Sequence, residues 1–351
     1  MLISICIPQY NRSRFLLVVL ESIVKQDYSN IEAIISDDCS TDDSQYMIPK
    51  YIAEQENKCS VRFRYIRQEQ NIGYDRNLRA SMAAAEGDYL FILSNDDALP
   101  RNDTISNLVT ILKQLSFPDV AFANLHPYGR ESEVARRAQK TALIGSGPYV
   151  ALKTFRSFCG VCGLIMKRSA FRKHDTSEYD GSIYVQIYLA AHIISSGGTL
   201  ASISESLVAA DVQIQGKKAN SYLDVLAYDN RKFKRKTGGL DQVGRVACDA
   251  ILPYISTSQR GKYILSIYGQ ILTYSYPLWL YDYRKNGVYR ASVNLAMGCF
   301  PPNLIKIQNV PLHVHVCLLV LYVVTTTSGL LMPVWFLEKI KGFVYRLAKS
   351  V

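Results

Sequence analysis

Hydrophobic and polar residues alternate along residues 1–125 in a pattern that is typical of repeated βαβ units. Short apolar runs, each followed by a polar cluster, are separated by segments whose apolar side chains recur at helical spacing. A mostly parallel sheet flanked by helices, an α/β fold, accounts for both periodicities. The predicted strands are Leu2 to Pro8, Ile31 to Asp37, Val61 to Ile66, Tyr89 to Ser94 and Val120 to Asn124, and the predicted helices include Arg14 to Gln26 and Asp103 to Leu115.

The pattern changes twice after this region. Residues 139–210 are less regular and rich in glycine, with one predicted helix from Ile183 to Ser195, and we expect them to complete the same domain. Beyond Gln215 the chain is helical in pattern and rich in tyrosine. The predicted organisation is therefore an α/β domain at 1–215, a helical region at 216–305 and a C-terminal extension at 306–351.

The C-terminal extension is marked by a gap in the charged residues. The chain has no Asp, Glu, Lys or Arg between Lys306 and Glu338, and a basic tail follows Glu338. The uncharged run Val316 to Leu337 is long enough to cross a hydrocarbon core of about 30 Å, and a basic tail favours the anionic cytoplasmic leaflet. We predict a membrane-seated helix or re-entrant hairpin here. The alternative is a helix that is buried in the soluble fold or in an oligomer interface.

Composition and charge exclude some classes of protein and leave others open. Hydrophobic residues make up 48% of the 351 residues, which is enough to build a core and excludes a disordered chain. The 8 scattered cysteines, in a chain whose start lacks a charged region and cleavage site, predict reduced thiols in a cytoplasmic protein rather than a disulfide scaffold. The net charge of +10 fits nucleic acid, anionic lipid or a phosphorylated substrate equally well.

Polar clusters follow four of the predicted strands. Because ligands of open parallel sheets bind outside the carboxyl ends of the strands, these clusters are candidate site residues. Acidic pairs are costly to assemble there unless they hold a cation or a hydrogen-bonded ligand. The clusters are Pro8 to Arg12, Asp37 to Asp43, Asn71 to Asn77, and Ser94 to Asp97.

Each cluster suggests a specific interaction. Asp96 and Asp97 offer the hard oxygen ligands that Mg²⁺ or Mn²⁺ prefers beside a substrate diphosphate. Asp37 or Asp38 can accept a hydrogen bond from a base or a ribose hydroxyl, and Tyr10 can pack on a base. Taken singly, such clusters also fit helix caps and turns.

In this order and spacing, the clusters resemble the family 2 glycosyltransferases of the GT-A fold. SICIPQYNR is similar to the opening strand of that family, IEAIISDDCSTDDS to its nucleotide-binding strand end, and GDYLFILSNDD to the strand before its DxD-type metal motif. The resemblance is strong over residues 1–125 and weak to about 210. Within the family, NIGYDRN and the hydrophobic C-terminus look most like the abequosyltransferase-type enzymes of bacterial surface polysaccharide assembly.

The resemblance implies a role for each cluster. Asp96 and Asp97 would hold Mg²⁺ or Mn²⁺ on the donor diphosphate, and Arg76, in preference to Arg79, would neutralise phosphate charge. The residues implied in binding the nucleotide-sugar are Pro8, Tyr10, Arg12, Asp37, Asp38, Asn71, Arg76 and Asp96.

The chain departs from the family pattern at three places. Cys39 replaces the usual glycine, so we expect its backbone to avoid positive φ. Ser94 and Asn95 precede Asp96, so the metal motif has fewer carboxylates than usual. The Glu-Asp pair that often begins a helix in the second half of the domain and supplies the base would fall at 184–186, where no carboxylate occurs. We assign the general base to Asp180, the nearest carboxylate that precedes the predicted helix, against the alternative that it only caps that helix.

These implications define an expected function. The chain would transfer a sugar, with inversion, from a nucleotide-diphosphate donor to a polyprenyl-diphosphate-linked saccharide. It would act at the cytoplasmic face of the bacterial inner membrane, without a nucleic-acid partner and either as a monomer or as an oligomer. One alternative is a sugar-nucleotide nucleotidyltransferase, but PQYNRSR is not the glycine-rich basic loop that such an enzyme would use. The other is a non-catalytic membrane-bound partner, which the missing Glu-Asp pair favours.

Overall fold

The computed structural model describes residues 1–219, 233–305 and 310–339. The chain divides into two compact units, Met1–Ala219 and Asn220–Val351. The first unit extends past the predicted boundary at 215 because a short hairpin at residues 213–218 belongs to it. Residues 310–339 are part of the second unit and do not form a separate third one.

The first unit is built on an eight-stranded mixed sheet. The chain order is β1 (Ile3–Gln9), α1 (Ser13–Val24), β2 (Ile31–Asp37), α2 (Ser44–Gln55), β3 (Arg62–Arg67), α3 (Tyr74–Ala83), β4 (Tyr89–Ile92), α4 (Thr104–Gln114), β5 (Val120–Pro127), β6 (Ala142–Gly145), α5 (Pro148–Thr154), β7 (Leu164–Lys167), α6 (Arg168–His174), α7 (Val185–Ser195), β8 (Leu200–Ala210) and the hairpin β9 (Gln213–Ile214) and β10 (Lys217–Lys218).

The strand order of the large sheet is β3-β2-β1-β4-β7-β5-β8-β6. Strands β3, β2, β1 and β4 are parallel, β7 runs antiparallel to both of its neighbours, and β5 is parallel to β8. The predicted α/β class and the five predicted strands are confirmed, with boundaries that shift by up to three residues. Strands β6, β7 and β8 were not predicted.

The core explains why the N-terminal pattern is so regular. Alternate residues of β1 face opposite sides of the sheet, yet Ile3 to Ile7 are all buried, since helices cover both sides. Helix α1 buries Leu16, Val19, Leu20 and Ile23 against the same core. Each such side chain contributes about 1.5–3 kcal/mol relative to an exposed position.

The described residues of the second unit form helices joined by short connections and no strand, as its pattern predicts. Its helices are α8 (Leu240–Ile251), α9 (Thr257–Gln270), α10 (Tyr276–Lys285), α11 (Tyr289–Gly298), α12 (Pro301–Leu304) and α13 (Leu312–Leu331). A π-helical turn, Ile271–Ser275, joins α9 to α10 without a break.

Helix α13 has one face on the bundle and one face outside it. The inner face buries Val314 and Leu318, and the Tyr276 hydroxyl lies 2.7 Å from the Thr326 hydroxyl. The outer face exposes a row of apolar residues, Leu312, Val316, Leu319, Val320, Val323, Val324 and Leu331. Among the described residues, α13 is long and apolar enough to cross a membrane by length and composition alone. The basic tail beyond Lys339 lies outside the described residues.

Candidate functional site

The carboxyl ends of β1, β2 and β4 lie side by side at one edge of the sheet, as the parallel arrangement predicts. Gln9 at the end of β1 pairs in register with Asp37 at the end of β2. The Asn77 side chain on α3 donates to the Ser36 backbone oxygen at 2.8 Å, and the Asn95 side chain donates to the Gln9 Oε1 at 2.7 Å. Side-chain amides therefore fix the three strand ends relative to one another.

Asp96 and Asp97 lie just beyond β4, beside the end of β8. The Asp211 backbone N–H donates to the Asp97 carboxylate at 2.8 Å, and the Val212 N–H donates to the Asp96 backbone oxygen at 2.7 Å. Arg12 donates to the Asp96 carboxylate at 2.8 Å and to the Asn95 side-chain oxygen at 3.1 Å. The predicted nucleoside-pocket residue Arg12 is thus placed against the metal motif.

The electrostatics of this pair indicate a shortage of positive charge. Burial raises the pKa of Asp96 to about 6; Arg12 opposes the increase, whereas Asp97 and Asp211 add to it. Burial also raises the pKa of Asp97, which is only 7% exposed. Such carboxylates gain stability from an added cation.

The donor set fits a divalent cation that is shared with a substrate. Carboxylate oxygens suit Mg²⁺ or Mn²⁺, which usually binds one or two protein carboxylates together with substrate phosphates. Within residues 1–219, 233–305 and 310–339, no group of three or more His, Cys, Asp or Glu side chains is arranged to hold a metal by itself. The fit therefore requires oxygens from the donor diphosphate.

The two carboxylates at the end of β2, those of Asp37 and Asp38, accept hydrogen bonds from other residues of the protein. Asp37 has no exposed surface, and its carboxylate accepts from the Ser40 N–H at 2.8 Å and from the Tyr65 hydroxyl. Asp38 accepts from the N–H groups of Ile72 at 2.6 Å and Gly73 at 3.0 Å. The predicted direct contact of Asp37 with a base or ribose is inconsistent with its complete burial. Its role is to shape the turn.

A hydrogen bond joins the loop after β2 to the loop after β3. The Asn71 side chain donates to the Asp38 backbone oxygen at 3.3 Å, so the structure brings these two predicted residues together. Pro8 is partly buried at the same sheet edge, and Tyr10 is exposed beyond it. Tyr10 is free to pack on a ligand.

Cys39 differs from the sequence-based expectation. Its φ is +57°, so the expectation that its backbone avoids positive φ is wrong. The turn that follows β2 requires this conformation, because the N–H groups of both Cys39 and Ser40 point back to Asp37, at 2.8 Å each. The usual glycine of the family pattern fits this turn for the same reason, because glycine adopts positive φ without steric cost.

On α3, the two arginines have different partners. Arg79 donates to both oxygens of Asp180, at 3.0 and 2.9 Å, and to Asp175 at 2.6 Å. Arg76 lies 3.7 Å from Asp180 and its side chain is 60% exposed. Asp180 makes no capping hydrogen bond to α7, so the alternative of a simple helix cap does not describe it. Of the two arginines, Arg76 is the one accessible to a ligand.

Two carboxylates at the site were not singled out in the sequence. Asp211 follows β8, and the strand-end argument would have identified it if β8 had been predicted. Asp75 is buried on α3 and accepts from backbone N–H groups of residues 181–185. Its short-range sequence context has no feature that indicates this.

Cys159 and Cys162, which have the spacing CxxC, are both free thiols. The Cys162 thiol lies 2.7 Å from the Ser94 hydroxyl, and burial raises its pKa well above the ordinary value. All eight cysteines lie in described residues and all are free thiols. A protonated, buried thiol is unreactive.

Comparison with known proteins identifies relatives in sequence. The family described as Glycosyl transferase family 2 matches residues 4–175. Abequosyltransferase RfbV of Salmonella typhimurium is 30% identical over 251 residues, which cover 65% of this chain and 73% of RfbV. The GalNAc(5)-diNAcBac-PP-undecaprenol beta-1,3-glucosyltransferase of Campylobacter jejuni is 31% identical over 98 residues, 28% of this chain and 30% of that enzyme.

The fold has a solved counterpart. A crystal structure of residues 1–349 of TarS from S. aureus superposes with a TM-score of 0.60 at 14% identity, covering 93% of this chain and 91% of that one. The same TarS fragment has been solved with UDP and with UDP-GlcNAc. The predicted GT-A type sheet is confirmed. Motifs, sheet and relatives agree, and the chain belongs to glycosyl transferase family 2, as a glycosyltransferase with the GT-A fold.

Proposed function

We propose that this glycosyltransferase moves a sugar from a nucleotide-diphosphate donor to a hydroxyl of a polyprenyl-diphosphate-linked saccharide, in the assembly of a bacterial O-antigen or capsule-type polysaccharide. The observation that carries the proposal is the buried Asp96 and Asp97 pair, with Arg12, at the strand edge. The name of one relative, a transferase acting on a PP-undecaprenol saccharide, supports the acceptor class.

Donor binding is proposed at the ends of β1, β2 and β4. Tyr10 and Pro8 would contact the nucleoside, and Asp38 with Asn71 would form the wall of its pocket. Arg76 would neutralise phosphate charge. Asp37 acts indirectly, by holding the Cys39 turn.

Asp96 and Asp97 would hold Mg²⁺ or Mn²⁺ together with the donor diphosphate. A divalent cation there supplies stabilisation of the negative charge on the leaving diphosphate. Arg12 orients the Asp96 carboxylate and adds a second positive charge at the same place.

Sugar transfer with inversion needs a base on the acceptor side. The acceptor oxygen forms a bond to the anomeric carbon while the bond to the nucleoside diphosphate breaks, and the hydroxyl proton goes to Asp180. Arg79 fixes the orientation of the Asp180 carboxylate. Positioning both reactants removes much of the entropic barrier.

The outer face of α13 is the proposed contact with the cytoplasmic face of the bacterial inner membrane. A spanning orientation would also carry the rest of the bundle into hydrocarbon. Gly244 on α8 packs closely against Tyr268, near the C-terminal end of α9, and the neighbouring Arg245 and Asp249 form a partly exposed ion pair at 3.6 Å. Since charged groups are costly in hydrocarbon, we propose that α13 lies in the membrane plane.

A nucleotide-binding measurement tests the catalytic proposal. Isothermal titration with UDP, GDP, CDP and dTDP, each with and without Mn²⁺, should identify one nucleotide whose affinity rises at least 10-fold with the metal. Asp97→Asn should remove that metal dependence, because a neutral amide is a weaker ligand for a hard cation. Asp103→Asn is the matched control, since Asp103 is exposed and pairs only with Arg101 among the described contacts. Binding that is the same with and without Mn²⁺ would contradict the metal role.

A further inference from the structure

Asp75 connects the donor-side helix to the loop in front of α7. Its carboxylate accepts hydrogen bonds from three backbone N–H groups, those of Gly181 at 2.8 Å, Ile183 at 2.7 Å and Val185 at 3.2 Å. The side chain is buried, with 1% exposure for the residue. A negative charge at the first turn of α7 also interacts favourably with that helix.

The loop that Asp75 holds has an unfavourable conformation. Ile183 has φ of +62°, which is rare for a β-branched residue, and Gly181 has φ of +90°. The Ile183 side chain is nevertheless 53% exposed, so burial of that side chain does not enforce the conformation. Asp75 accepts hydrogen bonds from the N–H of Ile183 and from N–H groups on both sides of it, and these bonds hold the conformation.

Three side chains of the same helix, α3, contact this part of the chain, those of Asp75, Arg76 and Arg79. Asp75 binds residues 181–185, and Arg79, four residues later and therefore on the same helix face, binds Asp175 and Asp180. Arg76, between them in sequence, is the exposed arginine assigned to the donor phosphates. Helix α3 thus determines the distance between Arg76, on the donor side, and the loop of residues 181–185, on the acceptor side.

We propose that Asp75 is a positioning residue for sugar transfer, which holds residues 180–185 in the conformation that places the base against the acceptor hydroxyl. This inference rests on the proposed function, because the importance of the loop depends on the acceptor lying there. Asp75 itself does not touch either substrate. Its removal should impair transfer and leave donor binding in place.

Hydrogen exchange of the loop amides tests the contact directly. In the wild-type chain, the amides of Gly181, Ile183 and Val185 should exchange slowly although they precede or begin a helix. In Asp75→Asn their exchange should rise at least 10-fold, while amides outside 175–188 stay within 2-fold. Free exchange at these positions in the wild type would overturn the proposal.

Kinetics separate positioning from general stability. With the nucleoside diphosphate that binds most tightly in the titration above, the affinity of Asp75→Asn should stay within 3-fold of wild type. Transfer, followed as release of that nucleoside diphosphate from its sugar nucleotide in the presence of a bacterial lipid extract, should fall at least 10-fold. Equal loss of nucleotide affinity and transfer would overturn the proposal.

Asp119→Asn is the matched control. The Asp119 carboxylate also accepts from a backbone N–H, that of Thr199 at 2.8 Å, and from the Thr199 hydroxyl at 3.0 Å. It lies at the start of β5, the opposite edge of the sheet from the site. Its loss should leave transfer within 2-fold of wild type, and a loss as large as that of Asp75→Asn would point to stability alone.

A rescue variant provides a second test. Glycine adopts positive φ without steric cost, so Ile183→Gly in the Asp75→Asn background should recover at least 3-fold of the lost transfer. No recovery would overturn the proposal.

If Asp75→Asn does not fold, Asp75→Glu takes its place, and failure of both to fold would show that Asp75 serves the fold rather than the loop. A wild-type chain that binds no nucleotide and transfers no sugar would contradict the proposed function, whereas loop exchange would still report on Asp75.

Discussion

At the end of β2, Cys39 occupies a conformation that favours glycine. A residue other than glycine in the left-handed region costs about 1–2 kcal/mol. The cysteine side chain gains little in return, since its thiol makes only a 3.6 Å contact with the Glu69 backbone oxygen. The residue therefore stores strain next to the proposed nucleotide pocket.

We predict that Cys39→Gly stabilises the protein by about 0.5–1 kcal/mol, because relief of the positive φ outweighs the entropy that glycine adds to the unfolded chain. Thermal unfolding of the first unit measures the change. The control is Cys59→Gly, at a cysteine whose φ is not positive, where the same substitution should destabilise. A lower melting temperature for Cys39→Gly would contradict the assignment of strain.

Asp180 is the residue on which the proposed chemistry depends most. Replacing a general base typically costs 10² to 10⁴ in rate, so we predict that Asp180→Asn lowers transfer by about 10² or more. Donor binding should change little, because the proposed donor site lies at the ends of β1, β2 and β4. Turnover and nucleotide titration measure the two effects.

Glu178 provides the control for that substitution. It is an exposed carboxylate two residues away, and Glu178→Gln should keep wild-type turnover. An inactive Glu178→Gln with an active Asp180→Asn would move the base to Glu178, and two active variants would exclude both residues.

The residues that the sequence identifies share a local signal, and the residues that it misses do not. Asp96 and Asp97 come shortly after an apolar strand that ends at Ile92, so the position of their carboxylates at the sheet edge could be predicted. Asp75 and Asp211 act on partners 106 and 114 positions away. The sequence shows a polar side chain in each case, whereas only the folded chain shows what it binds.

Among the elements, the same contrast separates the strands. Strand β2 is buried along its whole length, and only Glu32 interrupts its apolar run before Ser36, so it is easily recognised. Strands β6 and β7 have only 4 residues each, and serines interrupt the apolar run of β8. Short strands that take their stability from neighbours far along the chain have little pattern of their own.

Helix α13 is the element that sequence analysis describes only in part. Its apolar run predicts membrane contact but not which face makes it. The structure places Val314 and Leu318 inside the bundle and exposes Val320 and Val324, each at 57%. The Tyr322 hydroxyl donates to the Ala296 backbone oxygen at 2.7 Å, and Arg284 donates to the Gly329 backbone oxygen at 2.6 Å. The inner face of α13 therefore packs against the bundle, and the outer face is the one that can contact lipid.

We predict that the double substitution Val320→Asp and Val324→Asp abolishes binding to anionic phospholipid vesicles and leaves folding intact. The carboxylates would lie on the outer face, where insertion would bury them in lipid. Vesicle sedimentation and circular dichroism measure the two properties. Ser258→Asp and Gln259→Asp, at exposed positions of α9, add the same charge elsewhere and should reduce binding less than 3-fold. Equal loss in both double variants would show that net charge, rather than the outer face, determines binding.

For the whole molecule, the two compact units suggest a division of labour. All of the proposed donor-site residues lie in Met1–Ala219, and the apolar outer face lies in the second unit. An acceptor that is attached to a polyprenyl chain stays in the bilayer, so an enzyme at the same surface meets it at a higher effective concentration. Membrane attachment would then raise the rate of transfer without any change at the catalytic residues.

This division predicts that residues 1–219 alone fold and bind the same nucleoside diphosphate as the full chain, within about 3-fold in affinity, because the donor site takes its residues from that unit only. The full chain should bind anionic vesicles and stay bound in about 1 M salt, where the Debye length is near 3 Å and purely electrostatic attraction is lost. The 1–219 fragment should stay in the supernatant at every salt concentration. Titration and vesicle sedimentation of both proteins measure these properties. Release of the full chain by salt would reduce the contact to the basic residues near the C-terminus, and vesicle binding by the fragment would place a membrane contact in the catalytic unit instead.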